Sequence, residues 1–267
     1  METIKCPICD CSNYSHYLSL KDRFDLKESY DFELVKCDCK FIFLNPRPSE
    51  SEIYKYYSYN HYSPHVKNNF LYRTAQKISF FWKYRLIKSL GHKLKILDYG
   101  SGKGDFSIYM NNKGFKVDNY EPILNSKDII RGDYDIVTMW HSLEHIHNLD
   151  DCFLRINNAL KDAGFLIIAV PNIDAIERKY FKNNWCAYDA PRHLYHFNYN
   201  SISSLLDKYG FKIIKDKSII QDTFYNIYLS LKKKNPLYFI YLSFLSSLTI
   251  LLNSNKSSSR LYICIKE

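Results

Sequence analysis

A glycine-rich loop flanked by acidic residues is the strongest chemical pattern in this sequence. The chain contains only eight glycines, and three of them, Gly100, Gly102 and Gly104, lie within five residues. Asp98 precedes the loop, and Glu121 ends the next predicted strand. Glycine lets the backbone approach a ligand closely, and this loop joins a predicted strand to a predicted helix, where open α/β sheets bind ligands. We therefore expect a ligand here.

The two acidic residues indicate which ligand the loop would bind. A dinucleotide-binding G-x-G-x-x-G motif would need glycine at Asp105, and Asp98 would repel a pyrophosphate. Asp98 and Glu121 instead suit a ligand with both an ammonium group and a ribose, such as S-adenosylmethionine. The alternative is that the glycines form only a tight turn and Glu121 is a solvated strand end. The residues predicted to bind this cofactor are Asp98, Gly100, Ser101, Gly102, Glu121 and His141.

Two groups of histidines follow predicted strands and are suited to proton transfer. His141, His145 and His147 form the first group, and His193 and His196 form the second. Methyl transfer is an in-line displacement at a sulfonium carbon, and a hydroxyl or acidic carbon must lose its proton as it attacks. A histidine base suits neutral pH. The alternative is that these side chains make only local hydrogen bonds.

Arg192 lies beside the second histidine group in a polar loop that follows a predicted strand. His193 could be the base or could bind the acceptor. Arg192 could bind a phosphate or carboxylate of the acceptor, or it could pin the loop to Asp189 or Asp174.

The first 48 residues contain five of the eight cysteines and are typical of a small separate metal-binding module. Cys6 and Cys9 form one pair, Cys37 and Cys39 form another, and the intervening chain is long enough to close a tetrahedral thiolate site for zinc. Cys11 is a competing ligand, and a metal-free module is the alternative. We expect a structural zinc ion, because a module this small has little core and metal binding would contribute to its folding.

The remaining sequence alternates short apolar runs with helical segments, which predicts an α/β fold with a doubly wound sheet and helices on both faces. The predicted strands are residues 93–100, 115–121, 134–140, 164–172, 211–220 and 260–267, and the predicted helices are residues 72–90, 105–113, 151–160 and 201–209. The predicted organisation is a cysteine module over residues 1–48, a helical linker or lid over 49–93, a cofactor-binding domain over 94–230, and an apolar helix with a closing strand over 231–267.

Composition favours a soluble globular protein, with 46% hydrophobic and 24% charged residues. We expect a cytoplasmic location, because the sequence lacks both a run of about 18 apolar residues and a signal-like N-terminus. The net charge of +9 would favour polyanionic partners. Lys, Asn, Ile, Tyr and Phe are abundant together, however, as under AT-rich codon bias, so we expect no nucleic-acid partner.

An apolar segment near the C-terminus follows the three lysines 232–234. Its large apolar residues align on one helical face: Leu237, Ile240, Tyr241, Phe244, Leu245, Leu248, Leu251 and Leu252. Such a helix could contact a membrane surface as a peripheral element. The opposite face carries serines rather than lysines, which favours a helix packed on the domain or against another subunit.

Several segments resemble one enzyme family. ILDYGSGKGDF and NYEP resemble the first motif and the ribose-binding acid of class I S-adenosylmethionine-dependent methyltransferases. DYDIVTMWHSLEHIHNLDD, LKDAGFLIIAVPN and WCAYDAPRHLYHFNYNSISSLLDKYGFKI resemble successive blocks of the methyltransferase-23 type, over roughly residues 94–215. CPIC and KCDCKFIFLNPRPS resemble the N-terminal zinc-binding module of some of these enzymes, including sugar C-methyltransferases.

This resemblance implies a Rossmann-like sheet and methyl transfer from S-adenosylmethionine. It also implies that His145 is a base and that Glu144 orients or stabilises it. The acceptor would be a small molecule, for example a cell-surface sugar or a secondary metabolite. One alternative is a metal-assisted O-methyltransferase of a quinone or phenol, because ubiquinone-type enzymes associate a similar Glu-His pair with a divalent cation. Another is an inactive methyltransferase-like protein that binds RNA or a partner protein.

The sequence departs from the family between Glu121 and Asp135. Only 13 residues lie between them, where the family usually has two helices and a strand that help to form the adenine pocket. We therefore expect the edge strand to be missing and the adenine pocket to be open or differently lined.

Overall fold

The computed structural model describes residues 1–24, 30–57, 70–122, 132–231 and 235–267. The strands are β1 (Tyr14–Leu20), β2 (Phe32–Cys37), β3 (Ile42–Leu44), β4 (Lys95–Tyr99), β5 (Lys116–Tyr120), β6 (Tyr134–Trp140), β7 (Leu160–Pro171), β8 (Tyr195–His196), β9 (Phe211–Ser218) and β10 (Ser259–Lys266). The α-helices are α1 (Phe70–Leu90), α2 (Asp105–Asn111), α3 (Leu149–Ala159), α4 (Arg178–Phe181), α5 (Tyr199–Lys208), α6 (Ile220–Ser230) and α7 (Pro236–Leu252).

The larger sheet has six strands in the order β5-β4-β6-β7-β10-β9. The first four are parallel, and β10 is antiparallel to both of its neighbours. Alternate residues of the central strands enter opposite cores: Ile96 lies in one apolar cluster and Leu97 in the other. Apolar side chains are therefore buried on both faces of the sheet, as parallel strands require. The predicted α/β doubly wound sheet is confirmed.

The edge of this sheet lies where the sequence is shortened. Among the described residues, β5 is the terminal strand on that side, with β4 as its neighbour. Residues 123–131, which contain most of the shortened segment, lie outside the described residues.

The smaller sheet joins the N-terminal cysteine segment to the part of the chain that carries the second histidine group. Its order is β1-β2-β3-β8, so its fourth strand, Tyr195–His196, comes from the loop that contains the second histidine group. The Nη1 of Arg47 donates to the hydroxyl of Tyr195 at 2.8 Å. We expected a separate module, whereas the structure places Cys6 and Ile168 in one hydrophobic core. The difference has a physical reason, since a short three-stranded sheet buries too little apolar surface alone.

A buried ion pair reinforces this junction. Arg192 and Asp22 have side chains that are 0% exposed. The Nη2 of Arg192 donates to Asp22 Oδ1 at 2.6 Å, and its Nη1 donates to Oδ2 at 3.0 Å. Arg192 also contacts Asp189 at 3.2 Å. Of the two roles considered for Arg192, the structure supports pinning of the loop, and one of the partners is an aspartate 170 residues away.

The C-terminal helix packs on the domain, but not through the row of large apolar residues that aligns on one face in the sequence. The buried residues of α7 are Leu242, Ser246 and Ile250. Most of its other large apolar residues, including Leu237, Phe244 and Leu252, are exposed. The hydroxyl of Ser247 donates to the carbonyl of Ser243 at 2.7 Å. Within the described residues, no helix is both long and apolar enough to span a membrane.

We predict that Asp22→Asn lowers the free energy of unfolding by about 3–5 kcal/mol, because the buried guanidinium of Arg192 loses its two-bond carboxylate partner and keeps only the longer contact with Asp189. Urea denaturation followed by circular dichroism measures the change. The matched control is Lys21→Gln, which breaks the exposed pair with Asp31 and should cost less than about 1 kcal/mol. Equal losses in the two variants would contradict a structural role for the buried pair.

Candidate active site

The glycine loop brings together the ends of β4, β5 and β6. The backbone N–H of Gly100 donates to Tyr120 O at 2.7 Å, and that of Gly102 donates to Glu121 Oε2 at 2.8 Å. Gly100 has a φ of +78°, and a Cβ on it would lie 2.4 Å from the Cβ of Ser142. Only glycine fits this position, both for its backbone conformation and for the space left by Ser142. The structure therefore brings the predicted loop and Glu121 into direct contact.

Asp98 lies below this loop at the end of β4 and is 3% exposed. Its Oδ1 accepts a hydrogen bond of 2.8 Å from Thr138. Burial raises the pKa of Asp98 to about 6, and the Thr138 hydrogen bond and the Lys83 ammonium limit that rise. Asp98 is thus ionised at neutral pH and is poised to bind a cation.

Lys83 from α1 enters the same region and was missed by the sequence analysis. Its ammonium lies 4.3 Å from the ring centroid of Trp140. Burial lowers the pKa of Lys83 to about 8, while the charges of Asp98 and Asp222 oppose this effect. Nothing in the sequence separates Lys83 from the other lysines of α1, because the contact depends on how the helix packs on the sheet.

His141 lies between two carboxylates. It directly follows β6 and has a φ of +54°. Its Nε2 is 2.9 Å from Asp222 Oδ2, and its Nδ1 is 3.5 Å from Glu144 Oε1. Burial lowers the pKa of His141, but the Asp222 and Glu144 carboxylates outweigh it and raise the pKa to about 10. His141 is therefore an imidazolium at neutral pH. Asp222 was also missed, since α6 lies far along the chain.

The other predicted catalytic residues, Glu144, His145 and His193, form one cluster. One ligand atom of each lies within 4.8 Å of the others. The rings of His145 and His193 meet edge to face, with centroids 4.7 Å apart. Burial raises the pKa of the fully buried Glu144, but His141 and the neighbouring imidazoles lower it to about 2. The structure thus joins two histidine groups that are distant in sequence around an ionised carboxylate.

Backbone carbonyls fix the tautomers of both rings. The Nδ1 of His145 is 2.9 Å from Arg192 O, and the Nδ1 of His193 is 2.8 Å from Ala187 O. A carbonyl only accepts, so each Nδ1 is assigned the hydrogen, and the Tyr57 hydroxyl, 3.0 Å from Nδ1 of His145, then also accepts from it. Each Nε2 is left with a lone pair when the ring is neutral. Burial, together with the charge of His145, lowers the pKa of His193 to about 4. His193 is therefore neutral at pH 7.

Four cysteines form a second cluster on the smaller sheet. The Sγ atoms of Cys6 and Cys39 are 3.6 Å apart, and those of Cys9 and Cys37 are 3.5 Å apart. These distances are far longer than a disulfide bond of about 2.05 Å. They are close to the separation of about 3.8 Å expected between thiolates around a tetrahedral zinc ion. The four predicted ligands are therefore placed to hold zinc, whereas the Sγ of Cys11 accepts a hydrogen bond from Asn13 N.

Comparison with protein-family models shows which family the chain belongs to. A family model described as a methyltransferase domain, Methyltransf_23, matches residues 62–216, which is more than half of the chain. This chain belongs to the methyltransferase-23 family. The predicted resemblance to class I methyltransferases is thereby confirmed. No curated protein matches this methyltransferase in sequence.

Solved structures similar to this chain have low sequence identity to it. An S-adenosylmethionine-dependent methyltransferase from Archaeoglobus fulgidus is 17% identical, with a TM-score of 0.47 over 74% of this chain and 100% of that one. A putative S-adenosylmethionine-dependent methyltransferase from Listeria monocytogenes is 15% identical, with a TM-score of 0.45 over 71% and 99%. Magnesium protoporphyrin IX methyltransferase from Synechocystis PCC 6803, with bound S-adenosylhomocysteine, is also 15% identical, with a TM-score of 0.45 over 74% and 88%.

We predict that the purified methyltransferase contains about one zinc ion per chain, because four thiolates at these distances match tetrahedral zinc. Elemental analysis after purification without chelators measures the content. Cys39→Ser should lower the zinc content well below that of the unaltered chain, while Cys11→Ser should keep it. Equal zinc content in the two variants would contradict the assignment of these four ligands.

Proposed function

We propose that this protein transfers the methyl group of S-adenosylmethionine to a small-molecule acceptor such as a sugar or a secondary metabolite. The observation that carries the proposal is the buried, ionised Asp98 beneath a glycine loop that is hydrogen-bonded to Glu121. The residues present fit a ligand with a cationic and a ribose part, and the cluster of Glu144, His145 and His193 supplies acid-base chemistry in the same chain.

Three side chains would hold the cofactor. Asp98 would pair with its ammonium group, and Lys83 with its carboxylate. The Glu121 carboxylate is fixed through Gly102 and can accept further hydrogen bonds, so it suits the ribose hydroxyls. When bound, the cofactor supplies an electrophilic methyl group on a sulfonium.

His145 would remove the proton of the acceptor. Its Nδ1 is held by Arg192 O, which leaves Nε2 to accept a proton from a hydroxyl or an acidic carbon. The ionised Glu144 would stabilise the imidazolium that forms. His193 lies against His145 and would position the acceptor or share the proton.

We predict that Asp98→Asn weakens S-adenosylhomocysteine binding by about 10- to 100-fold, because it removes a charge-assisted contact with the ligand's ammonium. Isothermal titration calorimetry measures this, with Asp118→Asn on the neighbouring strand as the control that keeps normal affinity. In the unaltered chain, affinity should fall as pH drops through about 6, where Asp98 takes up a proton, and Asp98→Asn should lose this pH dependence. If the unaltered chain fails to bind, the proposal is overturned.

A metal-assisted O-methyl transfer to a quinol or phenol is a second candidate. The observation that favours it is His193, which adds a third potential ligand to Glu144 and His145. Both rings donate Nδ1–H to backbone carbonyls, as metal-binding histidines commonly do. A divalent cation there would polarise the acceptor oxygen.

We predict that His145→Gln lowers kcat by about 10²- to 10⁴-fold while S-adenosylhomocysteine affinity stays within a few fold, because His145 acts on the acceptor proton. The assay follows methyl transfer from labelled S-adenosylmethionine to a nucleotide sugar and to a catechol. The exposed His16→Gln is the control. A base mechanism predicts that Mg²⁺ does not change the rate, with or without prior chelator. Loss with chelator that Mg²⁺ alone restores would favour the metal-assisted reaction, because Mg²⁺ does not replace zinc at a thiolate site. A normal kcat in His145→Gln would exclude His145 from both the base mechanism and the metal-assisted reaction.

A further inference from the structure

The last two helices present an outward surface that is almost entirely apolar. On α7, Leu237 is 79% exposed, Phe244 is 65% exposed and Leu252 is 90% exposed, whereas Ser246 on the opposite face is 0% exposed. The face that packs on the domain also carries Leu242 and Ile250 beside Ser246. Helix α7 is therefore apolar on both faces, whereas an ordinary surface helix exposes a polar face. A soluble domain gains nothing from such an arrangement unless another apolar phase covers the face.

The neighbouring helix extends the same surface. Helix α6 packs along α7, and the rings of Tyr228 and Phe239 meet at 6.4 Å. We call the exposed apolar residues of these two helices the hairpin surface. Its members are Ile220, Phe224, Tyr225 and Tyr228 on α6, and Leu237, Tyr238, Ile240, Tyr241, Phe244, Leu248, Leu251 and Leu252 on α7.

We propose that the hairpin surface docks on the face of a lipid bilayer that contains anionic lipids. The charge of the chain selects this occupant over a second copy of the protein. The formal net charge is +9, and three consecutive lysines, residues 232–234, precede α7 in the sequence. Two such chains repel each other, whereas anionic lipids attract basic residues near their surface by about 1 kcal/mol each.

The dimensions and residue types of the surface agree with a helix that lies in the plane of the membrane interface. Helix α7 has 17 residues and no charged side chain, so it is about 25 Å long. Four tyrosines lie among the aliphatic residues of the hairpin surface. Tyrosine is enriched where apolar and polar regions of a membrane meet. The outward face would enter the acyl boundary while the face of Leu242, Ser246 and Ile250 stays on the domain.

The test is co-sedimentation of the full chain with vesicles of phosphatidylcholine alone or with about one third phosphatidylglycerol. We expect binding to the anionic vesicles that weakens as salt rises, since screening shortens the range of the charge attraction. The double variant Phe244→Gln/Leu251→Gln should have a vesicle partition coefficient that is at least about tenfold lower, because two large apolar side chains no longer enter the lipid.

The matched control is Ile78→Gln/Leu154→Gln, which changes two exposed apolar residues (56% and 60%) outside the hairpin surface and should bind like the unaltered chain. Circular dichroism confirms that both variants are folded. Failure of the unaltered chain to bind anionic vesicles overturns the proposal, as does equal binding by the two variants. A dimer in light scattering that Phe244→Gln/Leu251→Gln converts to a monomer would identify a second copy as the occupant instead. None of these outcomes depends on methyl transfer.

Discussion

The buried pair between Arg192 and Asp22 is the contact on which the catalytic half of this methyltransferase most depends. A guanidinium without solvent needs a carboxylate, so the loop that carries Arg192 cannot leave the N-terminal segment without a large cost. That loop also supplies β8 to the smaller sheet, the carbonyl that holds His145, and His193 itself. The cysteine segment is therefore part of the framework of the active site, although it contributes no residue to the histidine cluster.

The imidazoles near the Glu144 carboxylate differ in charge because their surroundings differ. His141 pairs with two carboxylates and has a pKa raised to about 10, whereas His193 is buried beside another imidazole and has a pKa lowered to about 4. At neutral pH the site thus holds an imidazolium and a neutral imidazole near the same carboxylate, Glu144. Environments that push pKa values apart in this way allow one site to hold charge and accept a proton at the same pH.

Much of the fold was predictable because local patterns and global structure agree. The alternation of apolar strands with helices indicated the doubly wound sheet, and three glycines around Asp98 marked its ligand-binding edge. Lys83, Asp222 and Asp22 were not predictable, since each acts through a partner that is distant in sequence and carries no local motif. The outward face of α7 was also missed, because periodicity shows that a helix has an apolar side but not which side meets the domain.

The pairing of β8 with β3 has a consequence for how the chain matures during synthesis. Asp22 is synthesised 170 residues before Arg192. At about 5–20 residues per second, this separation corresponds to a delay of roughly 10 to 30 s. Throughout that interval β3 presents an open hydrogen-bonding edge, and the nascent cysteine segment has no ion-pair partner for Asp22. The smaller sheet is therefore completed only after the loop that carries Arg192 and β8 has been synthesised.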